Sequence, residues 1–335
     1  MTEATRPLTV RRALAVEGRR LQASSPSPRL DAEILLAHVL GVRREYLYAE
    51  PERVLSAAEH AALHELVSRR ARHEPVAYLT GRKAFHEIEL AVNEHTLIPR
   101  PETETLVEVA LAKLRVLDAG PLPERAREPD EVRLGAEPPP LHERLPRREP
   151  PRLLDVGTGS GAVALAVAHA RADVRAVGLD LDHQALEMAR LNAERLGLAE
   201  RCRFLVSDLF AEVPPGSLFD MIVSNPPYVA DHELAATPPD VHAFEPHGAL
   251  LGGPGGLDFY RRIVPAAPQY LAPRGFLAVE IAEQRAAEVT AVFRDCGRFE
   301  EIEVHDDLGG RPRVVSGRER AWGGGMSRYA KSRTA

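Results

Sequence analysis

The spacing of apolar residues divides the 335-residue chain into a helical front part and a later part that alternates strands with helices. In the front part, Leu30, Ile34, Leu35 and Val39 recur at the spacing of one helix face. Other segments before residue 83 repeat this spacing. The pattern predicts a small N-terminal helical domain, which we place at residues 1–83.

Local signals place three helix termini within this domain. Gly41 follows the last apolar position of one helix, where glycine is a common stop. Ser56 and Glu59 have the spacing of a capping box at the start of another helix. Basic residues 69–72 would then end that helix, where positive charge suits the helix dipole. We interpret this basic cluster as a helix C-terminus rather than an RNA contact.

A hairpin and a stiff loop follow the helical domain. Ile88 and Leu90 alternate with polar or smaller neighbours, which predicts a β-hairpin with its turn at Asn93-Glu94. Two prolines then flank Arg100 and stiffen the chain before a further helix. We assign residues 84–115 to this hairpin and linker helix.

Two segments have the composition of disordered chain. Residues 116–150 contain eight of the 28 prolines, charges of both signs and no aromatic residue. Such a segment cannot bury enough apolar surface to order itself. We therefore predict a disordered insert there, and a disordered Gly/Ser/Lys/Arg-rich tail at residues 321–335.

From residue 151 to residue 320, apolar strands alternate with helical segments. This alternation predicts an α/β fold: a doubly wound, mostly parallel, Rossmann-like sheet of seven strands. The clearest helices are predicted at residues 162–170 and 184–196. The predicted strands, the last of them antiparallel, are residues 152–156, 176–179, 202–206, 221–224, 276–281, 301–304 and 313–317.

Composition narrows the class of protein. A net charge of −6 argues against a general electrostatic trap for nucleic acid. Cys202 and Cys296 are the only cysteines, which gives neither a disulfide framework nor a metal cluster and fits a reducing compartment. No apolar run approaches the ~18 residues of a membrane helix. We expect a metal-free cytoplasmic protein.

A glycine loop, residues 157–161, follows the first strand of the predicted sheet. Glycine lets a ligand approach the backbone, and ligands of open α/β sheets lie at the carboxyl ends of strands. Asp180 ends the next predicted strand, where an acid can bind ribose hydroxyls. The pattern Gly157-x-Gly159-x-x-Ala162 leaves a NAD enzyme as an alternative. Asp155 and the Gly-x-Gly-x-Gly spacing favour S-adenosylmethionine, a nucleoside with a cationic amino-acid tail.

The third predicted strand of the sheet ends at Asp208-Leu209. At this position Asp208 is placed to accept a hydrogen bond from an adenine amino group, and Leu209 to cover the ring. Leu209 and the following Phe210 are equally suited to an ordinary apolar core.

The tetrapeptide Asn225-Pro226-Pro227-Tyr228 follows the fourth predicted strand. Its prolines fix φ, supply no backbone N–H and hold Asn225 extended. The side-chain carbonyl of Asn225 and the backbone carbonyl of Pro226 can then point to one spot beside Tyr228. Two acceptors beside an aromatic ring suit a planar –NH2 group, although a proline-rich turn without function is the alternative.

The two motifs together suggest methyl transfer to nitrogen. Displacement of a methyl group from a sulfonium requires the acceptor nitrogen to be aligned with the methyl carbon. Two acceptors fix the plane of an amide or aromatic amine and favour its developing positive charge. The proton can leave afterwards, so this chemistry needs no dedicated base.

These motifs, with others in the front part, resemble the HemK/PrmC family, methyltransferases that modify the glutamine of the Gly-Gly-Gln motif in peptide chain release factors. The combination is more specific than the tetrapeptide alone, which adenine-amino methyltransferases share. The matching segments are residues 31–36, 74–81, 97–104, 154–161, 224–229, 244–246 and 255–260.

The resemblance implies a class I S-adenosylmethionine-dependent methyltransferase with a helical substrate-binding domain, which tunes translation termination and releases S-adenosylhomocysteine. Class I release factors would be its protein substrates, with no nucleic acid or membrane partner, and we expect a monomer. The tetrapeptide would be catalytic: Asn225, Pro226, Pro227 and Tyr228. The residues expected at the cofactor are Gly157, Thr158, Gly159, Ser160, Gly161, Asp180, Asp208, Leu209, Asn225 and Arg100, the last over the methionine end.

Three alternatives stay open. A sister enzyme that methylates a ribosomal-protein glutamine would share the tetrapeptide and a helical front domain. A nucleic-acid adenine methyltransferase would need a basic recognition surface, which the charge distribution does not show. A non-catalytic adaptor would not need an intact glycine loop. The chain departs from the family in its long insert and in Leu209, where relatives carry an aromatic residue.

Overall fold

The computed structural model describes residues 8–119 and 150–320 of the chain. The predicted tail at 321–335 and nearly all of the predicted insert lie outside these ranges. The linker helix runs to Ala119, so it extends into the segment that we had assigned to the insert from residue 116.

From residue 8 onward, the N-terminal part contains five helices, which share an apolar core of their own that includes the fully buried Leu35, Leu36 and Leu63. The second helix ends at Gly41, whose φ is +64°, as the glycine stop predicts. Their bounds are α1 Val10–Arg20, α2 Pro28–Leu40, α3 Glu45–Ala49, α4 Ala57–Arg70 and α5 Val76–Thr80.

Helix α4 is closed at both ends by side chains. Ser56 and Glu59 form the predicted capping box. At the other end Arg70 is buried against Asp31, with Nε and Oδ2 2.7 Å apart. Arg69 binds Glu74. Arg69 and Arg70 are thus engaged within the fold, and α4 ends at Arg70, which confirms the interpretation of the basic cluster as a helix terminus.

The hairpin forms, but its predicted turn was wrong. Strands β1 (Arg82–Phe85) and β2 (Ile88–Ala91) pair antiparallel, and the turn is His86-Glu87 rather than Asn93-Glu94. His86 takes the positive φ of 51° that a two-residue hairpin turn requires. Phe85 and Ile88 are partners beside the turn, and both are buried in the main core. Burial of this pair fixes the register, which local turn residues do not reveal.

The main sheet has seven strands in the order β5-β4-β3-β6-β7-β9-β8. The first five are parallel, and β9 is antiparallel to both neighbours, which confirms the doubly wound α/β fold. The strands are β3 Arg152–Val156, β4 Arg175–Asp180, β5 Cys202–Val206, β6 Phe219–Ser224, β7 Leu271–Glu280, β8 Phe299–Asp306 and β9 Pro312–Glu319.

Helices cover both faces of this sheet. The hairpin and α6 to α8 share one apolar core, and α10 and α11 share the other. The helices are α6 Glu104–Ala119, α7 Ala162–Ala170, α8 His183–Arg195, α9 Pro239–Phe244, α10 Asp258–Ala266 and α11 Ala286–Cys296. Across residues 8–119 and 150–320, no helix has the length and apolar character needed to cross a bilayer.

The strand order reverses between β3 and β6. Strands β3, β4 and β5 proceed toward one edge, whereas β6 pairs with the other side of β3. A ligand crevice opens at such a switch point, outside the carboxyl ends of the two strands. Both sequence motifs follow these two strands.

Candidate active site

The glycine loop and the tetrapeptide meet at the switch point. Val156 and Ser224, the last residues of β3 and β6, are register partners, and the Ser224 hydroxyl donates to the Val156 carbonyl at 2.7 Å. One residue further on, a Cβ added to Gly157 would lie 4.0 Å from the Asn225 carbonyl oxygen. The backbones of the two motifs are therefore adjacent at the switch point.

All three glycines of the loop adopt conformations that favour glycine. Gly157, Gly159 and Gly161 have φ of 76°, 54° and 82°. The amides of Gly157 and Thr158 donate to the Leu179 carbonyl, each at 2.8 Å, which fastens the loop to β4. Among the described residues, no atom lies within 4 Å of a Cβ added to Gly159. The middle of the loop therefore leaves space for a ligand.

Asp155 faces inward rather than toward this space. It is 1% exposed, and its Oδ2 accepts from the Thr158 hydroxyl at 2.7 Å and from the Ala164 amide at 3.1 Å. Burial raises the pKa of its carboxyl to about 6. Asp155 therefore ties the glycine loop to α7. Its position before the first glycine, which favoured a cationic ligand in the sequence, reflects this structural tie.

Asp180 ends β4 beside the loop. Its Oδ2 accepts from the Gly159 amide at 2.8 Å and its Oδ1 from the Asp182 amide at 3.0 Å. Burial raises the pKa of this carboxyl, and the backbone hydrogen bonds oppose that rise. Each carboxylate oxygen has a second lone pair, so an oriented acceptor is available for ligand hydroxyls.

Asp208 and Leu209 are placed differently from each other. Asp208 is exposed, and both of its oxygens lie within 2.8 Å of Arg262 Nη2 on α10. An adenine amino group would have to share this carboxylate. Leu209 has φ of 51°, and its half-buried side chain packs on the core that contains Phe210. The adenine contacts of both residues stay a prediction.

The tetrapeptide is oriented by a residue that the sequence did not single out. Asn225 Nδ2 donates to the Thr103 hydroxyl oxygen at 3.2 Å, which turns the amide oxygen of Asn225 away from Thr103. Thr103 ends the short 3-10 turn before α6 and is 3% exposed. The Tyr228 hydroxyl donates to Glu280 Oε1 at 3.4 Å. Glu280 ends β7, where a sequence offers no signal for this contact.

A glycine-rich segment, residues 252–256, supports the tetrapeptide from behind. The Gly252 amide donates to the Val229 carbonyl at 2.9 Å. A Cβ on Gly252 would lie 2.6 Å from the Pro227 carbonyl oxygen, and one on Gly256 would lie 2.3 Å from that of Tyr228. These contacts exclude side chains. The glycines therefore let two backbones approach closely.

Arg100 binds Glu245 on the other side of the site. Their Nη2 and Oε1 atoms are 2.5 Å apart, and Glu245 also accepts from the Ile98 amide at 3.4 Å. Glu245 is 4% exposed, and its burial raises the pKa of the carboxyl although Arg100 lowers it. Arg100 thus lies on the wall of the site, joined to the segment after α9. Its expected position over a cofactor stays a prediction.

A cleft of about 680 Å³ separates the helical part from the sheet. Tyr228, the last residue of the tetrapeptide, and Glu280 line this cleft. Glu280 is 1% exposed, and burial raises the pKa of its carboxyl to about 7. The other lining residues come from both parts of the molecule: Ala23, Ser24, Ser25, Pro26, Arg70, His73, Arg100, Glu102, Pro238, Pro239, Asp240, Val241 and Arg313.

Both halves of the chain match known family models. The PrmC N-terminal domain model matches residues 13–81, and the methyltransferase small domain model matches residues 139–240. Among solved structures, the hMettl16 catalytic domain in complex with MAT2A 3'UTR hairpin 6 has a TM-score of 0.51 at 13% identity. It covers 77% of this chain and 82% of that one, and this likeness concerns the fold alone.

Curated relatives extend along nearly the whole chain. The release factor glutamine methyltransferase of Rhodopirellula baltica is 37% identical over 87% of this chain and 90% of its own. The enzyme of Koribacter versatilis is 37% identical over 93% of this chain and 99% of its own. The enzyme of Salmonella typhimurium is 39% identical over 88% of this chain and 93% of its own. On this identity and coverage, the chain belongs to the release factor glutamine methyltransferase family.

Proposed function

We propose that this protein transfers a methyl group from S-adenosylmethionine to the side-chain amide nitrogen of the glutamine in the Gly-Gly-Gln motif of peptide chain release factors. The observation that carries the proposal is the position of the Asn225 amide. Its nitrogen is bound to Thr103, its backbone adjoins the glycine loop, and Tyr228 of the same tetrapeptide lines the cleft. Family membership supports the same substrate, since the relatives carry it in their names.

The residues around the glycine loop fit the cofactor. Open space over Gly159 admits a nucleoside, and the Asp180 carboxylate beside it offers acceptors to ribose hydroxyls. When bound, S-adenosylmethionine supplies an electrophilic methyl group on its sulfonium. We assign to its binding Gly157, Thr158, Gly159, Ser160, Gly161, Asp180, Asp208, Leu209, Asn225 and Arg100.

The tetrapeptide orients the substrate amide. The Asn225 side-chain oxygen and the Pro226 carbonyl accept its two N–H hydrogens, and the prolines keep both acceptors rigid. These bonds fix the plane of the –NH2 group and favour the positive charge that develops on nitrogen. Tyr228 packs against the flat face of the amide, and Pro227 holds it there. Water can take the proton after transfer, so this scheme requires no base.

The cleft supplies the route for a protein loop. A glutamine side chain must enter between the helical part and the sheet to reach the tetrapeptide. We propose that residues 1–83 hold the release factor at this entrance and that residues 151–320 perform the transfer. A monomer acting in the cytoplasm fits such a substrate.

The test is methyl transfer from labelled S-adenosylmethionine to separately purified substrates. We expect label in an intact class I release factor, assigned by mass spectrometry to the motif glutamine, and none in its Gln→Asn variant. Label in a large-subunit ribosomal protein alone, or in nucleic-acid adenine alone, would contradict the proposal. Asn225→Ala is the matched enzyme control.

A further inference from the structure

The contacts behind Asn225 raise the question of what decides which way its amide faces. An asparagine side chain presents a carbonyl on one side and an –NH2 group on the other. The proposed function, on which this inference rests, requires the carbonyl to face the substrate amide. Asn225 in the opposite orientation would present –NH2 to –NH2, and the acceptor would be lost.

We propose that Thr103 and Glu280 are positioning residues that set the orientation of the Asn225 amide. The Thr103 hydroxyl oxygen accepts a hydrogen bond from Asn225 Nδ2 at 3.2 Å. The Thr103 side chain is also close enough to the Glu280 carboxyl to lower its pKa by hydrogen bonding. The three side chains come from distant parts of the chain, the turn before α6, the end of β7 and the tetrapeptide after β6.

In the described part of the chain, Thr103 has an unused hydrogen-bond donor, and Glu280 has an unused acceptor. The Thr103 oxygen is used as an acceptor by Asn225, which leaves the hydroxyl hydrogen to be donated. Glu280 Oε2 is buried and has no hydrogen-bond partner within the described ranges 8–119 and 150–320. A buried carboxylate oxygen demands a donor. The Thr103 hydroxyl can donate to this oxygen while it accepts from Asn225, which would satisfy both groups.

The direction of the hydrogen bond between Thr103 and Glu280 determines the orientation of the Asn225 amide. An ionised carboxylate can only accept, so a Thr103 hydroxyl bound to Glu280 must donate its hydrogen there. It then presents a lone pair to Asn225. Only the –NH2 end of Asn225 can donate to a lone pair, so the amide oxygen is left on the side away from Thr103.

The residues around Thr103 and Glu280 favour one direction for the hydrogen bond between them. Thr103 and Glu280 are 3% and 1% exposed, so bulk water does not compete for their hydrogen bonds. The Tyr228 hydroxyl donates to Glu280 Oε1, which also favours a carboxylate that accepts. The Tyr260 hydroxyl binds the Glu280 backbone carbonyl at 2.8 Å and holds the end of β7 in place.

The experiment compares Thr103→Val, which keeps the shape and removes the hydroxyl, with Thr103→Ser, which keeps the hydroxyl. We expect Thr103→Val to lower kcat for release-factor methylation by about 10-fold to 100-fold. The dissociation constant of S-adenosylmethionine should change by less than about threefold, because neither residue contacts the ribose acceptor. Thr103→Ser should retain kcat within about threefold of the wild type. Equal turnover of both variants would overturn the inference.

A second readout does not depend on activity. In protein labelled with ¹⁵N-asparagine, the Asn225 side-chain amide is assigned by its absence in Asn225→Ala. We expect its resonances to be preserved in Thr103→Ser and displaced in Thr103→Val and in Glu280→Gln, whose amide can reverse the Thr103 bond. Unchanged Asn225 resonances in both of the latter variants would overturn the inference. Absence of methyl transfer by the wild type would contradict the proposed function, while these spectra still decide the orientation.

Discussion

Arg100 and Glu245 form an ion pair across 145 residues of chain, with Nη2 and Oε1 2.5 Å apart. The pair joins the proline-stiffened loop before α6 to the segment that follows α9. Both segments border the tetrapeptide, which is held from a third side by residues 252–256. The acceptors at Asn225 and Pro226 are therefore surrounded by elements that are fixed to one another, and the cleft provides the opening.

Mutations at the glycine loop and at the tetrapeptide should affect different steps, cofactor binding and methyl transfer respectively. We expect Asp180→Ala to raise the dissociation constant of S-adenosylmethionine by about 10-fold or more, because an oriented acceptor and a bond to Gly159 are lost. Asn225→Ala should leave that constant nearly unchanged and lower kcat by about 100-fold to 1000-fold, as for loss of a transition-state contact. Calorimetric titration with the cofactor, paired with single-turnover methylation, measures both. Weakened cofactor binding in Asn225→Ala and normal binding in Asp180→Ala would reverse the assignment.

Gly256 should be intolerant of a side chain. Its φ is +69°, and an added Cβ would lie 2.3 Å from the Tyr228 carbonyl oxygen. Gly256→Ala must therefore displace the tetrapeptide, and we expect a loss of about 1–3 kcal/mol in the free energy of unfolding and at least about a 10-fold loss of turnover.

The neighbouring glycine supplies the control for this prediction. A Cβ on Gly255 meets no atom within 4 Å among the described residues, and its φ lies outside the left-handed region. Gly255→Ala should be close to wild type in urea unfolding and in turnover. Equal effects of the two substitutions would show that the close approach at Gly256 is unimportant.

The sequence predicts those parts of the fold whose signals are local. Strands β3 and β5 and helix α7 begin and end at the predicted residues, because apolar runs bounded by turn signals mark these elements clearly in the sequence. The glycine loop and the tetrapeptide were identified for the same reason. The hairpin turn was missed because His86-Glu87 carries no turn signal in the sequence, and the burial of Phe85 and Ile88 on either side of it depends on the folded core.

The remaining contacts depend on tertiary structure. An acid near the end of a buried strand can face a ligand or the neighbouring helix, and only the structure shows that Asp155 binds Thr158. Asp208 meets Arg262, 54 residues away, and Asn225 meets Thr103, 122 residues away. Pairs this distant leave no periodicity in a single sequence, so the groups that orient the site were not predictable.

The pH dependence of catalysis should follow Glu280. Burial raises the pKa of this carboxyl to about 7; Thr103, Arg313 and Tyr228 lower it and Glu102 raises it. The ionised form is the one that orients Asn225. We therefore expect kcat/KM to fall as the pH drops through about 7, to about one-tenth of its plateau at pH 6.

Glu280→Gln provides the check on this profile, because it removes the titrating group while keeping its shape. Its kcat/KM should be low at every pH and should lose the step near pH 7. A step of the same size and position in the variant would assign the titration to another group.

Asp155 should make the fold less stable at high pH. The pKa of its buried carboxyl is about 6 in the folded protein, against an ordinary value of 3.8. A group whose pKa rises on folding adds stability below its unfolded pKa and loses it as the pH rises through the folded value. Asp155→Asn keeps an oxygen that can accept from Thr158 and Ala164. The quantity compared is the free energy of unfolding of the variant minus that of the wild type. We expect this difference to be more favourable to the variant at pH 8 than near pH 4, by up to about 3 kcal/mol. Urea unfolding at both pH values measures the change. Glu300→Gln, at an exposed acid, is the control and should show no such increase. If the difference between Asp155→Asn and wild type is likewise the same at both pH values, the Asp155 carboxylate is ionised in the folded protein without cost.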